Sequence, residues 1–236
     1  MFVFNKRCIL IFSAFLVIVL TLSTILIAIN GRAQNAELQT NFKVVIDAGH
    51  GGIDGGVVGK TTGVYESEIN LAISKLLAVE LNELGFSTVL TRSSSAGLYG
   101  TATSSRKKKD MQKRKEIILK ERPHAVLSIH QNFYPSSSRR GAQAFYNADS
   151  DASKNLAQTI QKGLNELPTN VREYTSLKGD YFLLNCCDAP SVIIECGFLS
   201  NPDDESYLTD ENYQQTFAKQ VAHSVAEYFL TVTNTK

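Results

Sequence analysis

Two of the four histidines in this 236-residue chain, together with nearby carboxylates, are of the types that bind a catalytic metal ion. Zinc takes nitrogen and oxygen ligands tetrahedrally, and a catalytic zinc keeps one position for water. His50, His130 and one carboxylate would make such an open site. Position along the chain does not separate Glu66 from Glu68 for the third ligand. The carboxylates considered are Asp47, Asp54, Glu66, Glu68 and Glu195.

The segments around these residues alternate between β-rich runs and helical periods. Strands are predicted at 42–47, 86–90, 124–130, 141–147, 181–184 and 191–195, and helices at 68–84, 105–121, 150–167 and 212–229. Strands that alternate with helices of this length are typical of a largely parallel sheet covered on both faces. The pattern therefore predicts an α/β fold, as a single domain with a mostly parallel central sheet and helices on both faces.

Three titratable residues stand at the carboxyl ends of the predicted strands. His50 follows the first strand, His130 ends the third and Glu195 ends the last. Ligands of open α/β sheets bind outside the carboxyl ends of the strands. Taken singly, each histidine would more often be an ordinary hydrogen-bonded residue. Their shared position instead favours one site at one edge of the sheet.

The N-terminus differs in composition from the rest of the chain. Residues 8–31 carry no charge and are mostly apolar, and Lys6 and Arg7 precede them. About 20 apolar residues cross a bilayer core, and a positive flank stays in the cytoplasm. The pattern favours residues 1–32 as a transmembrane signal anchor over a cleaved signal peptide, whose apolar region is usually about 7–15 residues. We expect a linker at 33–41 and an exported catalytic domain at 42–232.

Composition excludes several classes of protein. With 43% hydrophobic and 20% charged residues, the chain is an ordinary globular mixture rather than a disordered one. The overall net charge of +1 gives no sign of a nucleic-acid partner. Four cysteines are too sparse for a disulfide framework. Cys186, Cys187 and Cys196, the three beyond the N-terminal segment, are expected to be buried thiols on strands.

Common catalytic and cofactor motifs are absent from the sequence. The loop Gly49–Asp54 follows a strand, but an aspartate stands where a dinucleotide-binding loop needs its third glycine. Neither H-E-x-x-H nor G-x-S-x-G occurs, which excludes the usual zincin and serine-hydrolase sites. Residues 106–115 hold seven cations and one acid. We interpret this run as a solvated helix face, with anionic lipid or wall polymer as alternative partners.

Four separated motifs carry a resemblance to a known family. VVIDAGHGGIDGG, YESEINLAI, LSIHQN and PSVIIECGFLSNP occur in this order within residues 43–230. Together they resemble the zinc-dependent N-acetylmuramoyl-L-alanine amidases of the amidase-three family. The resemblance implies one Zn2+ per chain, bound by His50, Glu66 and His130, and it selects Glu66 over Glu68 through the Asn70-Leu71 that follows. It implies that Glu195 is the catalytic carboxylate.

The same resemblance implies a substrate and a setting. The substrate would be peptidoglycan, cleaved at the amide between the lactyl group of N-acetylmuramic acid and L-alanine of the stem peptide. GAQAFYN and the Arg-Lys cluster are most similar to spore-cortex amidases of the CwlD type. This implies action at the forespore wall, as the first step towards muramic-δ-lactam. Asn132 would bind substrate or be a plain turn residue, and Arg114 would be substrate-facing or structural.

The sequence argues against two other functions and one mode of regulation. A zinc- or wall-binding domain without turnover does not explain an intact Glu195, and a zinc carboxypeptidase would need an arginine pair that is not evident. Residues 90–124 have room for only a polar loop and one basic helix, so an inserted inhibitory helix is not expected. Residues 57–64 are predicted to be mobile. We therefore expect loose zinc binding, supported by an accessory protein that orders this stretch.

Overall fold

The computed structural model describes Thr21 and residues 42–234. The predicted signal anchor and linker, apart from Thr21, lie outside the described residues. Within the described part of the chain, no helix has the length and apolarity needed to span a membrane. The described residues from 42 onward form one compact unit.

Six strands and five helices make up this unit. The strands are β1 (Lys43–Ala48), β2 (Ser87–Leu90), β3 (Ala125–Asn132), β4 (Gln143–Tyr146), β5 (Leu177–Lys178) and β6 (Ser191–Phe198). The helices are α1 (Glu66–Glu83), α2 (Arg106–Glu121), α3 (Asp151–Leu164), α4 (Pro202–Leu208) and α5 (Glu211–Asn234). The strands lie in the order β2-β1-β3-β6-β4-β5. The predicted single α/β domain is confirmed.

The sheet is mixed rather than uniformly parallel. Four of its pairings are parallel, and β4 runs antiparallel to β6. The two central parallel pairings, β1 with β3 and β3 with β6, place the ends of three strands at one edge. The antiparallel strand lies beyond β6, so it leaves this edge unchanged.

Alternate residues of β1 point to opposite faces of the sheet, and both sets are buried. Helices therefore cover both faces. On one face, α1 and α3 both pack against α5, and the Phe42 and Phe229 rings lie 4.4 Å apart. On the other face, Ile118 of α2 packs with Val45 and Val126. The core therefore lies on both sides of β1 and β3, the strands that carry the two histidines.

Three local predictions differ from the structure: a strand is predicted at 181–184, and neither helix α4 nor the two-residue strand β5 is predicted. Residues 181–184 form a turn rather than a strand, since the Leu184 amide donates to the Tyr181 carbonyl (3.1 Å). Leu183 is nevertheless buried against the α2 side of the sheet, so its apolar character reflects packing and not strand pairing. Helix α4 was missed, although Pro202 at its start and the Asn201 side chain, which accepts from the Asp204 amide (3.0 Å), are ordinary helix-start signals.

The cysteines are only partly as expected. Cys186, Cys187 and Cys196 are free thiols. Cys196 lies on β6 and is buried. Cys186 and Cys187 lie in the irregular segment before β6 rather than on a strand, and Cys187 is only half-buried. The expectation of strand thiols is therefore wrong for this pair, because local turns hold the segment that carries them.

Candidate functional site

The carboxyl ends of β1 and β3 and the first residue of α1 bring three side chains together. Glu66 Oε1 lies 3.2 Å from His50 Nε2 and 3.0 Å from His130 Nδ1. One potential ligand atom from each of the three residues lies within 4.8 Å of the others. His50, Glu66 and His130, which are 80 residues apart at their extremes, therefore form a group that could hold a metal ion.

The loop after β1 has an unusual backbone that allows this approach. A β-carbon at Gly49 would overlap the His130 ring, so a glycine is required where the two strands' ends meet. His50 has a φ of 60°, in the left-handed region that non-glycine residues seldom adopt. The Gly49 amide donates to the Ile129 carbonyl (3.0 Å), which ties the loop to β3. The pairing of β1 with β3 thus fixes the point at which the chain turns at His50.

Glu66 is oriented by hydrogen bonds on both carboxylate oxygens. Oε2 accepts from the Val57 amide (3.0 Å), and Oε1 accepts from the Gln131 amide (3.1 Å) and from Asn70 Nδ2 (3.2 Å). Glu66 is only 2% exposed, whereas Glu68 is exposed and contacts neither histidine. Of the two glutamates that spacing could not separate, the fold brings Glu66 to the histidines.

The charges of this group are strongly coupled. Burial by itself raises the pKa of Glu66, but hydrogen bonds and charge from His130 and His50 outweigh it and hold that pKa far below its usual range. Burial lowers the pKa of His50, and the Glu66 and Asp54 carboxylates reverse this and raise it. Glu66 is therefore ionised at neutral pH, as a metal ligand must be.

The two nearby aspartates serve the site differently. Asp54 Oδ2 lies 3.0 Å from His50 Nδ1, on the side of the ring away from Glu66. The pair meets the distance of an ion pair but not the angles of a hydrogen bond, so Asp54 stabilises the His50 ring through its charge. Asp47 is fully buried, and its carboxylate oxygens accept from the Thr91 and Ser128 hydroxyls (both 2.7 Å). Asp54 therefore supports His50, and Asp47 belongs to the core beneath the site.

Glu195 lies beside the histidine–glutamate group. It is the register partner of His130 on the adjacent parallel strand. Its Oε2 atom is buried and has no hydrogen-bond partner among the described residues. Burial raises the pKa of Glu195 to about 7, with a smaller upward contribution from Glu66 and opposing effects of His130 and His50. A carboxyl with this pKa can both accept and release a proton near neutral pH.

Arg114 lies beneath the site and is 1% exposed. Its guanidinium donates to Asp47 Oδ1, to Asp110 Oδ1 and to the His50 carbonyl, each at 2.6 Å. Of the two roles considered for Arg114, this placement supports the structural one. The arginine holds the His50 turn against β1 and α2.

Asn132 is placed at the end of β3, where the register with β6 shifts. Its Oδ1 accepts from the Phe133 amide (2.8 Å), and the side chain is half-buried. This bond is what a turn residue makes, and the contact of Asn132 with substrate stays a prediction.

The stretch 57–64 is tied down by a residue that the sequence did not suggest. The Glu205 carboxylate of α4 accepts from the Thr61 amide (2.9 Å), the Thr62 amide (2.7 Å) and the Thr62 hydroxyl (2.7 Å). The Lys60 amide donates to the Leu199 carbonyl (3.2 Å). These bonds argue against the expected mobility of the stretch. The sequence analysis predicts no helix at 202–208 and therefore does not single out Glu205.

A cleft of about 550 Å³ opens from the two histidines. Its walls are α2 and the turn at 181–183. The residues that line it include His50, Asp54, Arg106, Lys107, Met111, His130, Tyr181, Phe182 and Ile193. The cleft combines apolar walls with cations on one side, and two members of the possible metal group, His50 and His130, line it.

Comparison with known proteins shows the family. A family model described as N-acetylmuramoyl-L-alanine amidase matches residues 44–227. The germination-specific N-acetylmuramoyl-L-alanine amidase of Bacillus subtilis is 32% identical over 190 residues, which cover 79% of each chain.

Solved structures agree with this assignment. The CwlD amidase from Clostridioides difficile, solved in complex with the GerS lipoprotein, matches with a TM-score of 0.77 and 36% identity, covering 81% of this chain and all of that one. An N-acetylmuramoyl-L-alanine amidase from Clostridium difficile 630 matches with a TM-score of 0.71 and 29% identity, covering 80% of this chain and 97% of that one. The chain belongs to the N-acetylmuramoyl-L-alanine amidases, hydrolases whose substrate is peptidoglycan.

Proposed function

We propose that this protein is a zinc-dependent amidase that cleaves the bond between the lactyl group of N-acetylmuramic acid and L-alanine of the stem peptide. The observation that carries the proposal is Glu195, whose Oε2 atom is buried and has no hydrogen-bond partner among the described residues, next to the group of His50, Glu66 and His130. A domain that only binds its ligand does not require a carboxylate suited to proton transfer beside the metal group.

The residues fit one zinc ion. Two imidazole nitrogens and one ionised carboxylate oxygen are the donor set of open, catalytic zinc sites. The mutual distances of 3.0 and 3.2 Å between Glu66 Oε1 and the two ring nitrogens bring the donors close enough to share one ion. Asp54 behind His50 adds the outer carboxylate that such histidines usually have.

When bound there, zinc would supply Lewis acidity toward the amide carbonyl and toward water. Glu195 would transfer the protons. Its carboxylate accepts the proton of the attacking water and passes it to the departing amine of L-alanine. Burial raises the pKa of Glu195 to about 7 in the metal-free protein, and a bound dication would lower it towards the ionised form that accepts the proton of water.

The setting that we propose is the spore cortex. Support comes from the likeness to a germination-specific amidase and to the CwlD amidase. The reaction would then be the first step towards muramic-δ-lactam, carried out at the forespore wall. Residues 1–32 would direct export and tether the catalytic domain, residues 42–232, to the membrane.

An accessory protein is also proposed. The similar CwlD amidase was solved in complex with a lipoprotein, GerS. A partner of this kind would support zinc binding by holding the segment before Glu66. Because Glu205 already anchors that segment, the partner's contribution here would be smaller than for a free loop.

Digestion of purified peptidoglycan, with mass spectrometry of the products, tests the proposed function. The expected products are stem peptides with a free L-alanine amino end and glycan strands that have lost them. Release of single C-terminal residues would indicate a carboxypeptidase, and unchanged walls in the presence of zinc would indicate a binding domain. Either result would overturn the proposal.

A further inference from the structure

The basic run of α2 divides into two faces. Arg106, Lys107, Asp110, Met111 and Arg114 recur at helical spacing and line the cleft that contains His50 and His130. Lys108, Lys109 and Lys113 line a different surface depression. Only part of the run is therefore a candidate for contact with a ligand in the cleft.

The buried charges below the cleft balance one another. Arg114 bonds to Asp47 and Asp110, both at 2.6 Å, and these are two acids for one arginine. Arg92 supplies the second positive charge and donates to the carbonyls of Ala48 and Gly49. With these four charges engaged inside the protein, the cations left at the cleft surface are Arg106 and Lys107.

The two remaining cations are not equally free. Arg106 Nε donates to the Ala102 carbonyl (2.7 Å), and its guanidinium lies 5.7 Å from the centre of the Tyr99 ring. Tyr99 in turn accepts from the Ile53 amide (3.0 Å), so Arg106 is part of the cleft's wall. Lys107 is exposed, and no hydrogen bond or ion pair engages its ammonium among residues 42–234.

Lys107 lines the same cleft as the possible metal group. His50, His130 and Asp54 line this cleft together with Lys107, and Asp54 lies 3.0 Å from His50. An unengaged ammonium at this place attracts an anionic part of whatever occupies the cleft.

We propose that Lys107, next to the wall formed by Arg106, is a carboxylate-binding subsite for the residue that follows L-alanine in the stem peptide. This inference rests on the proposed function. One residue spans at most about 3.6 Å, so a carboxylate on the second stem residue lies within about 7 Å of the scissile amide. Lys107 thereby gives the enzyme a preference for stem peptides whose second residue has a free carboxylate rather than a carboxamide.

Two muropeptides test this preference, one with D-glutamate and one with D-isoglutamine in the second position and otherwise identical. The purified full-length protein with zinc should show a kcat/KM about five- to tenfold higher for the acid, mainly through KM, as for one partly exposed charge-assisted contact. Added salt should reduce the difference. Lys107→Gln should lower kcat/KM for the acid alone and so remove the preference.

Matched variants separate this role from a general effect of charge. Lys108→Gln removes a cation from the other face of the helix and should leave the preference intact. Lys107→Arg keeps the positive charge at position 107 and should also show the preference, unlike Lys107→Gln. Equal wild-type rates on both muropeptides, or the same result for Lys107→Gln and Lys108→Gln, would overturn the inference alone. If the wild-type protein releases stem peptide from neither muropeptide nor intact wall, the proposed function itself fails.

Discussion

Glu195 and His130 stand side by side on adjacent parallel strands, yet Glu195 has a buried oxygen with no hydrogen-bond partner in the described part of the chain, while His130 is bonded to Glu66. The two glutamates of the site consequently differ. Histidines hold the pKa of Glu66 far below its usual range, and burial raises that of Glu195 to about 7. Environments that separate the pKa values of two carboxyls assign their roles, here ligand and proton carrier.

Glu195→Gln should keep the fold and the bound metal and lose most turnover. The substitution is nearly isosteric and removes only proton transfer, which is typically worth about 10²- to 10⁴-fold in rate. Peptide release from peptidoglycan, together with zinc content and circular dichroism, measures the three properties. Hydrolysis close to the wild-type rate would place the general base elsewhere.

The stability of the metal-free protein should fall with rising pH because of Glu195. A carboxyl whose pKa is raised from 4.5 to about 7 on folding binds its proton more tightly in the folded state. The destabilisation is absent below about pH 4.5, grows between 4.5 and 7 and is complete above 7, at up to about 3 kcal/mol. A bound dication would lower this pKa, so metal must be removed first.

Urea unfolding of the metal-free wild type and Glu195→Gln at pH 5 and pH 8 checks this effect. The variant should be the more stable protein at pH 8, and the difference should shrink at pH 5. A difference that is independent of pH would mean that the Glu195 carboxyl titrates normally.

His130→Ala should greatly weaken zinc binding and abolish activity. It removes one of three protein ligands and leaves the buried Glu66 carboxylate without one of its hydrogen-bond partners. Zinc content after dialysis, determined by atomic emission, gives the occupancy, and His223→Ala is the control because His223 is exposed on α5. Full occupancy and full activity in His130→Ala would show that the ligand assignment is wrong.

Arg114→Met should destabilise the fold by about 3–5 kcal/mol, since Asp47 and Asp110 would be left buried without their partner. Lys113→Gln, on the exposed side of the same helix, should change stability by less than about 1 kcal/mol. Urea denaturation measures both. If Arg114→Met were as stable as the wild type but raised KM, the substrate-facing role would be the correct one.

Glu205→Gln should weaken zinc affinity without touching a ligand. The charged acceptor that holds Thr61 and Thr62 is lost, and ordering the stretch before Glu66 then opposes binding. We expect a loss of about tenfold, corresponding to one charged hydrogen-bond network. Competition with a chromogenic chelator measures the affinity, with Glu211→Gln on α5 as the control. Unchanged affinity would mean that these bonds do not position Glu66.

The wild-type zinc affinity also bears on the accessory protein. Tight, stoichiometric zinc binding with full activity and no added protein would contradict the need for a partner. Loose binding that tightens when the partner is added would support it. Because the Glu205 bonds already hold residues 61 and 62, we expect the partner to tighten zinc binding only modestly.

Much of the fold could be predicted because it depends on short-range pattern. The strand before His50 and the strand that contains His130 are apolar runs, and the helix that begins at Glu66 has a regular apolar period. Since parallel strands share an edge, these patterns also placed both histidines together. The turn at 181–184 was misjudged because an apolar run packs equally well as a turn over a buried face.

The sequence by itself determined the α/β class, the edge of the sheet where the site lies and, through its four motifs, the amidase family. Only the tertiary structure decided the distances among His50, Glu66 and His130, the burial that raises the pKa of Glu195, and the anchoring of residues 61 and 62 by Glu205. These properties arise from contacts between residues up to 144 positions apart. Local periodicity carries no information on such contacts, because they depend on how the packed elements exclude water and meet in space.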